Sequence, residues 1–365
     1  MMGRIRPAAV YLVAVLALIA CGSGTPEPQP TLPPTDTPIP PTATPTSPPQ
    51  ATVAFSELEV ITAANADQVA ELSALKGHSE PIFKVAFDPD GDTLASSSFD
   101  GTVRLWDVSS GLELGAVRHG PQATGVAFSP DGSVLASAGT DGRLILYDAA
   151  TLKELDVLLD QELGLFDVVF SPDGSTLAVG GIHEAVQLWD VPSRTRKAAL
   201  SGHGDDVRGM AFSPDGARLA TTSADQTVRV WNVEEGTEVA LLEGHDAEVN
   251  NAAFGPDGDL LASCSGGILE RFTVRLWDVD TWTETAVLEG NEGRIVGLAF
   301  SPGGDVLASH SADGTLRLWD VESHEELAVL ETARGIFGGA ALFSPDGRLL
   351  VSGSGDGVIR LWGVD

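Results

Sequence analysis

The side chains able to do chemistry in this 365-residue chain are mostly carboxylates. Asp and Glu number 52 against 21 Lys and Arg, giving a formal net charge of −31, with seven His and two Cys. No Cys/His spacing suits zinc, and no Gly-x-Ser-x-Gly nucleophile elbow stands in a strand-to-helix setting. Asp88-Pro89-Asp90-Gly91-Asp92 has the acidic look of a calcium loop. It contains proline, though, and lacks the spaced ligands and terminal Glu of that motif. Its recurrence at six other places makes it turn chemistry. No metal and no cofactor is therefore expected. The acidity argues against nucleic-acid binding, which needs a basic patch, and against docking on anionic headgroups. It suits a solvated surface or, alternatively, a basic partner. Cys264 falls in an expected strand, where a buried, inert thiol is the ordinary state.

The elements that position these residues come from a repeat. Phe87 precedes Trp106 by nineteen residues, and the same offset recurs at Phe128 and Tyr147, Phe170 and Trp189, Phe212 and Trp231, Phe300 and Trp319, and Phe343 and Trp362. Phe254 and Trp277 stand four residues further apart, which marks an insertion at Gly266–Phe272. Within the first copy, Val85-Ala86-Phe87 ends a strand and Asp88-Pro89-Asp90-Gly91 is a tight turn. Leu94–Ser98 is a second strand, and Asp100-Gly101 turns into a third, Thr102–Trp106, with alternating polar and apolar residues. Glu113–Val117 makes a fourth. Seven such four-stranded units cannot each bury a face alone, but stacked radially they can.

Gly77-His78 at the start of a copy and Trp106-Asp107 at its end, at this period, resemble the WD-repeat β-propellers. The resemblance covers about residues 66–365 and implies an all-β, seven-bladed propeller of four-stranded antiparallel blades. The last copy ends at Asp365, three residues past Trp362, so Glu71–Leu75 is expected to complete the last blade and cover its open edge. The resemblance also implies a hydrogen-bonded tetrad within a blade. His78, Ser98, Asp100 and Trp106 match it, as do His203, Ser223, Asp225 and Trp231. The second copy keeps His119 and Asp141 but has Gly139 and Tyr147. The third has Gln161 for the histidine and His183-Glu184 for Asp-Gly. The fifth keeps His245 without the Asp, and Asn291 and Arg334 replace the histidine in the last two. Packing is expected to hold those blades.

In this family the top face commonly binds partners. Its positions, carried over, are Phe83, Pro81 and Phe99 in blade one and Thr124 and Thr140 in blade two. They continue as Phe166 and Ile182 in blade three, Arg208 and Asp206 in four, Asn250 and Glu248 in five, and Val296 and Arg294 in six, with Phe337 near the register in seven. Phe83, Phe99, Phe166 and Ile182 would make one apolar sector, the usual mark of a binding site. The alternative is that some of them fill grooves between blades.

Residues 1–20 read as a signal peptide, with Arg4 and Arg6 ahead of an apolar run from Ala8 to Ala20 that is too short to span a bilayer comfortably. Leu18-Ile19-Ala20-Cys21 resembles the lipobox of bacterial lipoproteins, which implies lipidation at Cys21. An ordinary secretory signal or an uncleaved anchor is the alternative. Residues 22–54 are Pro/Thr-rich and cannot build a core. As an extended polyproline linker this stretch would reach ~90 Å. Residues 55–365 form the propeller, with Ile61, Ala64, Val69 and Leu72 on a short helix or an irregular packing segment.

The expected function is a monomeric, non-catalytic, extracytoplasmic scaffold, joined to a membrane through its lipid anchor alone and binding an unidentified protein on its top face. A propeller hydrolase using Asp206 and Glu248 is one alternative. A cell-wall or carbohydrate-binding module with Trp282 as its platform is another.

Overall fold

The computed structural model describes residues 55–182, 185–267, 271–335 and 338–365. The signal segment, Cys21, the Pro/Thr-rich stretch, His183, Glu184 and Phe337 lie outside them. The described residues form seven four-stranded antiparallel sheets, one per repeat. In blade one the strands are Ile82–Phe87, Thr93–Ser98, Thr102–Asp107 and Glu113–Arg118, close to the bounds expected from periodicity. The second strand is buried on both faces because neighbouring blades cover it; Leu94, Ala95, Ser96 and Ser98 are all fully buried. The outer strand is largely half-exposed or exposed. There a bulge opposite the closing aromatic blunts the free edge, and the same bulge recurs in the other blades.

The ring closes as expected. Ala70–Lys76 pairs antiparallel with Val358–Gly363, from Ala70 opposite Gly363 to Lys76 opposite Val358, and supplies the fourth strand of blade seven. Leu75 is buried in the core that blade seven shares with blade one. Glu71 also completes a side-chain pattern. In blades one, four, five and six an Arg two residues before the Trp pairs with a Glu on the outer strand, as Arg104 does with Glu113 at 2.5 Å. In blade seven the Arg is Arg360 and the Glu is Glu71, at 3.6 Å.

The Pro-Asp-Gly turns make a second closed circuit, which local reading missed. Gly91, with a positive φ of 79°, closes the first hairpin. A Cβ placed on it would sit 3.3 Å from Cδ of Pro345, the proline of blade seven's turn. The same contact, at 3.1–3.7 Å, links each turn glycine to the preceding blade's proline all round the ring. The motif is therefore an inter-blade contact as well as a hairpin.

The segment before the ring is irregular. Only Phe55–Glu57 and Ala66–Gln68 form single 3₁₀ turns. Ile61 and Val69 are buried in a core shared with blades six and seven, while Ala64 is exposed, so no helical stripe exists. The segment is tied down by Ile61 N–H to Gly347 O at 2.9 Å and by Ala63 N–H to Asp305 Oδ2 at 2.8 Å.

Candidate partner-binding face

The tetrads hold the loops of this face, and their hydroxyl is not the expected one. Trp106 Nε1–H donates to Ser96 Oγ at 2.8 Å, and the same oxygen lies 2.7 Å from His78 Nε2. His78 Nδ1 meets Asp100 Oδ2 at 2.8 Å. Ser98 instead donates to Glu80 O and accepts from Asp100 N–H. Blade four repeats the arrangement: Thr221, not Ser223, bridges Trp231 and His203, with Asp225 2.9 Å from His203. The register explains the correction. Leu94 lies opposite Trp106, so Ser96 is ~7 Å along the strand and within reach of the indole, while Ser98 is ~13 Å away. Burial opposes ionisation of Asp100 and Asp225, but hydrogen bonds from His78 and Thr102, and from His203 and Thr227, outweigh it. Both carboxyls are held well below the ordinary range.

With the hydroxyl two residues earlier, the other blades are less degraded than the sequence suggested. Ser263, Ser309 and Ser352 accept from Trp277, Trp319 and Trp362 at 2.8, 2.9 and 2.9 Å. Ser137 lies 2.6 Å from His119 Nδ1. Gly139 is there for closeness, since a Cβ on it would meet the His119 ring at 2.4 Å. Blade three is the exception. Val179 occupies the hydroxyl position, and the buried Trp189 Nε1 has no acceptor among the described residues. Blade five lacks the Asp, and burial, with Arg275 nearby, pushes His245 down to about 3.

The rim opposite the Pro-Asp-Gly turns carries the transferred positions, and the structure sorts them. Phe83 and Phe99 stack at 5.4 Å between centroids and 26° between planes, and both are half-buried. Phe166 does not join them as an exposed apolar group. It is 6% exposed, with the Arg208 guanidinium 5.0 Å over its ring. Ile182, Thr140 and Val296 are half-buried. Thr124 is buried and donates to Leu165 O at 2.7 Å, clipping blade two to blade three. The expected apolar sector therefore loses Phe166 and keeps the half-buried Phe83, Phe99 and Ile182, with Pro81 also half-buried.

The polar positions form a chain across blades four to six. Arg208 reaches Asp206 at 3.8 Å and Glu248 at 3.5 Å. Arg294 Nη2–H donates to Asn250 Oδ1 at 2.7 Å, and Asn250 Nδ2–H donates to Ile295 O at 2.9 Å. Asp206 and Glu248 thus share one arginine as their ion-pair partner. Trp282 is half-buried and packs against the core between blades four and five. Of the inserted loop, Ile268, Leu269 and Glu270 lie outside the described residues. Phe272 packs into a core, and Arg271 pairs with Glu289 at 3.6 Å. Among the described residues no group of His, Cys, Asp and Glu could hold a metal ion.

Comparison with known proteins agrees with this geometry. A stretch of 45 residues is 51% identical to the serine-threonine kinase receptor-associated proteins of Gallus gallus and Homo sapiens, covering 12% of this chain and 13% of each of theirs. Coronin-7 of Mus musculus is 50% identical over 42 residues, 11% of this chain and 5% of its own. The chain thus matches only a small part of these relatives' length. The family description "WD domain, G-beta repeat" matches seven segments, at 70–107, 115–148, 154–190, 194–232, 236–278, 282–320 and 331–363. Seven matches over seven blades, each holding its closing aromatic against a buried inner strand, place the chain in the WD-repeat family.

Proposed function

We propose that this protein is a non-catalytic scaffold that binds another protein on the rim bearing Phe83, Phe99, Arg208, Asn250, Arg294 and Val296. Thr140 and Ile182, half-buried as Phe83 is, belong to the same rim, and the buried Thr124 and Phe166 support it from beneath. The observation that carries the reading is the stacked, half-buried Phe83–Phe99 pair. Aromatic and arginine side chains near the centre of a face are what protein interfaces use as anchors. On the same rim, in blades three and four, the Arg208 guanidinium stacks on the Phe166 ring. One relative's name marks it as receptor-associated, in keeping with such a role. The lipobox-like Leu18–Cys21 supports attachment to a bacterial membrane through lipid on Cys21, facing away from the cytoplasm, with the propeller acting as a single copy.

The test is crosslinking on intact cells with wild type and a Phe83→Ser, Phe99→Ser double variant, matched for melting temperature. Loss of the crosslinked partners in the variant supports the reading. The same partners returning at the same yield would refute it.

A further inference from the structure

On the side of the Pro-Asp-Gly turns, away from the partner-binding rim, the centre of the ring holds a cavity of about 520 Å3. That lies within the ~300–1,000 Å3 typical of small-molecule sites. Its wall includes Phe87, Phe128, Phe170, Phe254 and Phe300, each only half-buried. Lys84 and Asp167 also line it. They stand three residues before Phe87 and Phe170 on the innermost strands, ~10 Å deeper.

This pair spans two blades. Positions 84, 125 and 167 are equivalent in register. Blade two has the buried Gly125 there, and Lys84 reaches Asp167 Oδ2 at 3.2 Å. Their hydrogen-bond inventories differ. Asp167 accepts from Lys84 and from Met210 N–H on Oδ2, and from Val168 N–H on Oδ1, and its side chain is 2% exposed. Lys84 is 21% exposed and has one side-chain acceptor among the described residues, whereas an ammonium carries three donors. The deep end of the cavity therefore offers more spare N–H donors than carboxylate acceptor sites, at the end of an aromatic wall.

We propose that this cavity binds a small apolar molecule ending in a carboxylate. The carboxylate takes the spare Lys84 donors and the apolar body lies along the phenylalanines. An amine would meet Lys84 ahead of an already occupied Asp167, and an alcohol would forgo the charge-assisted bond.

The test is isothermal titration of the full chain with decanoate, decylamine and decanol, each below its micelle concentration. Decanoate is expected to bind at one site and at least about tenfold tighter than decanol, the scale of one charge-assisted hydrogen bond, with decylamine weakest. Lys84→Met alone would strand a buried Asp167, so the variant is Lys84→Met with Asp167→Leu, which removes both charges. It should bind decanoate no better than decanol. Absence of saturable decanoate binding by wild type, equal binding of all three probes, or an undiminished preference in the double variant would each overturn the proposal.

Discussion

Val179→Thr places a hydroxyl where blade three alone lacks one, and its effect on stability should have the unusual sign. Trp189 Nε1–H is buried without an acceptor. Val179 holds the register position that Thr221 holds in blade four, where the threonine accepts from Trp231 at 2.9 Å and lies 3.4 Å from Arg229 O. Threonine at 179 would find the indole donor in the same place, with the Gln187 carbonyl as its own acceptor. Relieving one stranded donor contributes about 1–3 kcal/mol, and burying the hydroxyl costs about 1 kcal/mol of it back. The net is a gain of about 1 kcal/mol, or a rise in melting temperature of about 1–2 °C. Val→Thr in an apolar core ordinarily destabilises. In a Trp189→Phe background the donor is gone, so the same substitution should lower the midpoint by a similar amount. Calorimetric melting of the four proteins measures the coupling. A fall in midpoint for Val179→Thr in both backgrounds would refute the assignment of position 179, and with it position 96, as the tetrad hydroxyl.

Other outcomes follow from the same geometry. Burial pushes His245 down to about 3 and His310 down to about 4, from an ordinary value of 6.5. The unfolded chain therefore binds the extra protons first, so stability is full above pH 6.5 and falls as the pH drops from there toward 4. At roughly 1.4 kcal/mol per unit for each histidine, melting at pH 5 against pH 7 should show a loss that His245→Gln reduces. Leu75→Ala empties a buried site in the closing strand and should cost about 2–5 kcal/mol in urea unfolding; a loss below 1 kcal/mol would mean the strand is dispensable. Cys264, its thiol pushed up to about 12 by burial, should resist a thiol-specific reagent in the native protein and react in urea. Cys21→Ala should abolish incorporation of labelled palmitate in a bacterial host, and retained label would exclude lipidation at that residue.

What could be read in advance divides along the distance over which each interaction acts. A blade is three local hairpins, so its strands and turns follow from spacing, Gly and Pro within a few residues. The closing strand was also legible, because Glu71–Leu75 precedes Gly77-His78 as Glu113–Val117 precedes His119. The tetrad hydroxyl was not. Residues 96 and 98 share a face of the strand, both can be hydroxyls, and only the register with Trp106 separates them. Phe166 was misjudged because the side chain that covers it, Arg208, comes from the next blade. Likewise the Pro89-to-Gly132 contact joins two turns that each look complete alone.

Blade three shows what this means for a degraded repeat. Gln161, Val179 and Gln187 replace three members of the pattern together, while Arg196 stands opposite Trp189 where Glu113 stands opposite Trp106. Once the hydroxyl is lost, a histidine there has no buried partner and an ion pair has nothing to brace. Its substitutions are therefore better understood as one coupled change than as independent errors. The blade survives because Leu177, Val186 and Leu188 remain fully buried against blades two and four, so packing alone suffices where the polar network has gone.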